Sequence, residues 1–102
     1  MVVGHSECGA VKGACTGAQL GYLTGLLLKM EPSVNEAKTR MPGVAPSSPQ
    51  FVATVTELNV RQVMREIPQR SPVLRELIES GQVGLVGGIQ DLHSGQVKFI
   101  PN

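Results

Sequence analysis

The sequence predicts an α/β chain with a short, mostly parallel sheet flanked by helices. Short apolar runs stand near both ends, at Met1 to Gly4 and Val83 to Ile89, and the pairs Ser48-Pro49 and Ser71-Pro72 each open a segment of helical spacing. The last stretch, Gln96 to Ile100, switches to polar and apolar alternation. Strand, helices, strand and hairpin in that order define an α/β class with few strands, so the sheet is expected to need completion from outside the chain.

Taken in order, Met1 to Gly4 reads as a strand end, with Gly4 permitting a sharp turn. From Cys8 to about Leu28 small and apolar residues dominate, and Gly9, Gly13, Gly17, Gly21 and Gly25 fall on one side of any helix formed there. Glycine costs a helix about 1 kcal/mol relative to alanine. Two readings stay open: a stripe against which another backbone packs, or a loose, partly irregular segment.

Glu31 to Lys38 reads as a short helix and the proline-rich Met41 to Pro49 as a loop. Ser48 then caps the clearest helix, with Pro49 in its first turn and Phe51, Val52, Val55, Leu58, Val63 and Ile67 at helical spacing. Pro68 is expected to end it. Ser71-Pro72 opens another helix through Leu74, Leu77 and Ile78 to a stop at Gly81. Val83 to Ile89 is expected to be a buried strand, Ser94-Gly95 a turn and Gln96 to Ile100 an edge strand.

A chain of 102 residues supports one domain. At that size it buries roughly 60 % or more of its unfolded surface, enough to fold without disulfides or a metal. Nine basic residues against eight acidic ones give a formal charge of +1, with no cationic run and only Tyr22, Phe51 and Phe99 as aromatics. Nucleic acid and anionic membrane are therefore excluded as partners, because both select clustered cations, and nucleic acid also selects stacking rings. Leu26-Leu27-Leu28 falls far short of the roughly 20 apolar residues of a membrane span. His5 and Glu7 interrupt any reading of the start as a signal peptide. Two cysteines, Cys8 and Cys15, make no disulfide framework, so the expectation is a soluble protein of the cytoplasm.

The chemistry concentrates in Val2-Val3-Gly4-His5-Ser6-Glu7-Cys8-Gly9, where a strand ends and a helix begins. Backbone amides and the positive end of the helix dipole favour an anionic ligand at Cys8, and an imidazole three residues earlier can turn toward the same point. Spacing alone leaves two outcomes, half a zinc site or a buried structural cysteine, of which the second is the commoner.

The wider run Gly4-His5-Ser6-Glu7-Cys8-Gly9-Ala10-Val11-Lys12 resembles the second zinc-ligand motif of β-class carbonic anhydrases. Val86-Gly87-Gly88-Ile89-Gln90-Asp91-Leu92-His93-Ser94-Gly95-Gln96-Val97 is similar to that family's closing strand-turn-strand segment, with Gln90 where tyrosine is frequent and Ser94 where threonine is common. Asn59-Val60 resembles the family's Asn-Val pair. The matches run in family order and span nearly the whole chain.

The resemblance implies reversible hydration of carbon dioxide to bicarbonate, at a zinc held by two cysteines and one histidine with its fourth position left for an acidified water. His5 and Cys8 match two of those ligands. The remaining cysteine of the family, in its Cys-x-Asp-x-Arg motif, lies on an earlier strand, so residues 1–102 are expected to form a single, N-terminally incomplete domain. Cys15 is a poor substitute: seven residues of helix separate it from Cys8 by roughly 10 Å, whereas two sulfurs on one zinc lie within about 4 Å. It reads as a small core residue. Glu7 reads as solvent-facing or helix-capping, Asp91 as a turn acid and Arg61 as a solvated helix cation. His93 reads as a surface turn residue, with donation to a neighbouring chain's site left open.

Three functional readings follow. In the first, a neighbouring chain completes a carbonic anhydrase site; in the second, the chain is a catalytically inactive relative that oligomerises through uncovered surface. In the third, the sequence is a piece of a longer protein that owns the function. The isolated chain is expected to be weakly active or inactive.

Overall fold

A computed structural model describes residues 1–17 and 24–101. Its elements are β1 (Val2–His5), α1 (Gly9–Thr16), α2 (Thr24–Leu28), α3 (Glu31–Arg40), α4 (Pro49–Arg70), α5 (Pro72–Glu79), β2 (Gly87–Gln90) and β3 (Val97–Ile100). The sheet order is β1-β2-β3, with β1 and β2 parallel and β2 and β3 antiparallel. The α/β class expected from the sequence is the class found.

Helix α4 organises the molecule. Ser48 accepts the Phe51 amide at 3.2 Å and Pro49 occupies the first turn, a start in which each residue satisfies or removes an otherwise unpaired amide. On one side α4 sends Phe51, Val52, Val55 and Leu58 into a core shared with Val11 and Cys15 of α1 and Val34 and Ala37 of α3. Phe51 and Val55 are wholly buried. Buried Ser33 of α3 donates to Gln62 of α4 at 2.8 Å, so the hydroxyl enters the packed layer with a partner.

The opposite side of α4 carries the sheet. A Cβ placed on Gly4 would meet Thr56 at 2.9 Å and Val60 at 3.0 Å, and one on Gly87 would meet Val60 at 3.0 Å. Glycine at these two positions lets strand and helix backbones approach closely. The Arg61 guanidinium, paired with Glu57 at 3.1 Å, also donates to the Pro101 carbonyl at 2.9 Å, tying the chain just past β3 to α4. The expected solvated cation therefore has a fastening role.

Two sequence expectations differ from the structure, and one open reading narrows. Helix α4 continues through Pro68 to Arg70, because a proline in the last turn withholds only its own hydrogen bond and the Ser71 amide still reaches Ile67 at 3.0 Å. The strand expected over Val83 to Ile89 is confined to Gly87–Gln90, with one further bond from the Val2 amide to the Val86 carbonyl. At Gly9, Gly17 and Gly25 the glycine stripe meets no neighbour among the described residues that an added Cβ would touch. Gly17 instead ends α1 at φ 71°, the left-handed conformation of a helix C-cap. Gly21 lies outside the described residues.

Sheet alternation leaves the face away from α4 open. Val3 pairs with Gly88, which pairs with Phe99, and Val3 and Phe99 are 45 % and 62 % exposed. His5 shares that face, since side chains two apart on a strand point the same way.

Candidate metal centre

Strand β1 delivers His5 at its last position, Ser6 and Glu7 make the turn, and Cys8 stands at the N-cap of α1. Cys8 has extended backbone angles, φ −68° and ψ 120°, and its side chain caps no amide. Its carbonyl already accepts the Lys12 amide at 3.0 Å, so the helix begins without calling on the thiol. The thiol is half-buried against the core, and both cysteines are free.

His5 is exposed, and its Nδ1 lies 2.9 Å from the Ser6 carbonyl oxygen. A carbonyl only accepts, so Nδ1 carries the proton in this contact and the lone pair of Nε2 is left for another partner. Imidazole nitrogen and thiolate sulfur are both zinc donors, and fixing the second ring nitrogen on a carbonyl is the usual support of a metal-bound histidine. By donor chemistry both residues are of kinds that zinc takes. Among the described residues no group of three histidine, cysteine, aspartate or glutamate side chains could hold a metal.

The other candidate residues fall into place by burial. Cys15 is 5 % exposed within the core, and burial pushes its thiol pKa up. It is the core residue expected. Asp91 is the expected turn acid, its carboxylate accepting the His93 amide at 2.9 Å. Exposed His93 places Nε2 3.2 Å from a Glu7 carboxylate oxygen, which connects the hairpin turn to the His5-to-Cys8 loop.

Two features of the loop escape sequence reasoning. Glu7 adopts φ 57°, a left-handed conformation that glycine or asparagine would have signalled and glutamate does not. Ser6 accepts the Leu92 amide on its hydroxyl at 3.0 Å, across 86 residues of sequence, and no local pattern announces such a bond. A cavity of about 410 Å³ lies beside the loop, bordered by Ser6, Glu7, Lys12, Thr56 and Ile89. His5 and Cys8 are outside its lining.

A strand that ends in histidine and feeds a cysteine to a helix start, within a small α/β chain, is the arrangement implied by the β-class resemblance. The model of the carbonic anhydrase family matches residues 1–97, and the chain belongs to that family. Neither a search of curated proteins nor one of solved structures returns a significant match. No helix among the described residues is long and apolar enough to cross a membrane.

Proposed function

We propose that this carbonic anhydrase relative hydrates carbon dioxide reversibly to bicarbonate at a zinc site to which it contributes His5 Nε2 and Cys8 Sγ, the remaining protein ligand coming from another segment or chain. The observation that carries the reading is the state of the two donors: His5 commits Nδ1 to the Ser6 carbonyl and keeps Nε2 for a metal, while Cys8 begins a helix without spending its thiol on the cap. Zinc, when bound, supplies an acidified water as the nucleophile toward carbon dioxide. The residues present hold and orient: the Ser6 carbonyl sets the imidazole tautomer, and Cys8 brings the anionic charge that offsets the cation. A reducing, cytoplasmic setting belongs to the proposal, because both cysteines act as thiols.

With two protein ligands the metal is held weakly, so the zinc-supplied chain alone is a poor hydrase. The test is a carbon dioxide hydration assay on the zinc-supplied chain, alone and with a polypeptide carrying a Cys-x-Asp-x-Arg segment. A rate that rises on complementation supports the proposal. No hydration in the complemented, zinc-loaded complex contradicts it.

A second reading, that the chain is a catalytically inactive oligomeric relative, is favoured by the exposed Val3 and Phe99 and by the side of β1 that no strand pairs among the described residues. It predicts association in metal-free protein, read by sedimentation over a range of concentrations. A monomer at all concentrations sinks it.

A further inference from the structure

The turn from His5 to Cys8 is short and contains no glycine, yet Glu7 within it is left-handed. Such a conformation is strained for a non-glycine residue and persists where surrounding contacts over-determine it. The contacts come from the other end of the chain. Ser6 donates its amide to the Gln90 carbonyl at 2.9 Å, and its hydroxyl accepts the Leu92 amide at 3.0 Å. The Ser6 carbonyl accepts a hydrogen bond from the His5 Nδ1–H, with 2.9 Å between nitrogen and oxygen. One residue thus joins the imidazole, the sheet and the hairpin turn.

The surface that holds the loop is itself fixed. Within the β2-to-β3 turn the Asp91 amide donates to Gln96 at 2.8 Å and the Gly95 amide to Asp91 at 2.7 Å. The Asp91 carboxylate accepts the His93 amide at 2.9 Å, and Gly95 supplies the positive φ of 76° that closes the turn. This turn presents the Leu92 amide to Ser6 and the His93 ring to Glu7.

We propose that Ser6 is a positioning residue for the metal-ligand loop, its hydroxyl fastening the His5-to-Cys8 turn to the Asp91-to-Gln96 hairpin turn, with the Glu7–His93 contact as a second, weaker fastening. The inference rests on the zinc reading for its functional meaning, but the fastening itself is a property of the metal-free chain. Ser6 acts through its neighbours: if it moves, the carbonyl that holds the His5 ring moves with it, and so does the start of the helix that carries Cys8. The Glu7–His93 pair is solvent-exposed on both sides and contributes less than the Ser6 bonds.

The test compares wild type, Ser6→Ala and Ser6→Thr by amide hydrogen exchange without metal and by titration with Co2+, whose thiolate charge-transfer absorption reports coordination by cysteine. Loss of one hydrogen bond predicts exchange about 3- to 10-fold faster at the residue 6 and Lys12 amides in Ser6→Ala, with cobalt affinity weakened by a similar factor. Exchange in the middle of α4 stays unchanged, and Ser6→Thr, which keeps the hydroxyl, restores both readouts. Unchanged exchange at residue 6 and Lys12 in Ser6→Ala overturns the fastening. Faster exchange with unchanged cobalt affinity overturns the positioning role. Faster exchange in a chain whose wild type takes up no cobalt overturns the zinc reading and leaves the fastening standing. His93→Ala, at an exposed position, removes the second fastening alone and gives the same readouts with a smaller shift; if Ser6→Ala does not fold, exchange of the Leu92 amide in the metal-free wild type decides the fastening, protection supporting it and its absence overturning it.

Discussion

The two faces of the sheet carry opposite designs. Toward α4 the strands present glycine at Gly4 and Gly87 and close-packed contacts to Thr56 and Val60. Away from α4 they present exposed Val3 and Phe99 and, at the strand end, His5. Alternation along one strand therefore sends consecutive residues to unlike surroundings: Gly4 sits in the narrow space that α4 leaves, and His5 is exposed on the far face. If the proposed zinc site is real, single substitutions on the two faces separate stability from metal binding.

The largest effect is expected beyond the covered face, in the layer that α4 shares with α1 and α3. Phe51→Ala should lower unfolding stability by about 3–5 kcal/mol, because it empties the volume of a wholly buried ring. Chemical denaturation measures it. A loss under about 1 kcal/mol would mean that α4 does not organise the core.

Next comes Gly4→Ala, whose added methyl meets Thr56 and Val60 at 3.0 Å or less. It should cost about 1–3 kcal/mol by forcing strand and helix apart. If instead it is neutral, the close approach of β1 to α4 is not a requirement of the fold. On the open face Phe99→Ser should change monomer stability by less than about 1 kcal/mol, and any self-association of the metal-free chain should weaken with it. Sedimentation and denaturation together separate the two effects.

The smallest effect is a pH dependence from Cys15. Burial raises its folded-state pKa above that of the unfolded chain, so on raising pH the unfolded chain loses its proton first. By linkage, stability is complete below the unfolded thiol pKa and declines as pH rises through it toward the folded value. Cys15→Ala should remove that alkaline decline while leaving the slope at neutral pH unchanged, as thermal melts over the alkaline range would show.

How much of this was legible in the sequence follows the same division. Helix starts at Ser48-Pro49 and Ser71-Pro72 were readable because capping is chemistry between residues three apart, and both hydroxyls accept the amides expected of them. The His5 and Cys8 placement was readable because a strand end and a helix start lie within one short run. The end of α4 was misplaced because a proline's local preference says little once the next cap, Ser71, fixes where the helix stops. The glycine stripe leaves two readings open because periodic small residues permit close packing without supplying a partner, and among the described residues Gly9, Gly17 and Gly25 have none. Ser6 and Glu7 were invisible for a different reason. Their partners are at Gln90, Leu92 and His93, and a contact spanning almost the full chain leaves no mark in local spacing.

If His5 and Cys8 are metal ligands rather than a surface histidine beside a structural cysteine, zinc binding depends on both. Zinc titration of the folded wild type, His5→Ala and Cys8→Ala, with competition against a chelating dye, tests it most directly. Saturable binding by the wild type is expected, with affinity weakened at least about tenfold in each variant and unfolding stability within about 1 kcal/mol of wild type. Equal zinc affinity in all three proteins, or none in a folded wild type, would contradict it.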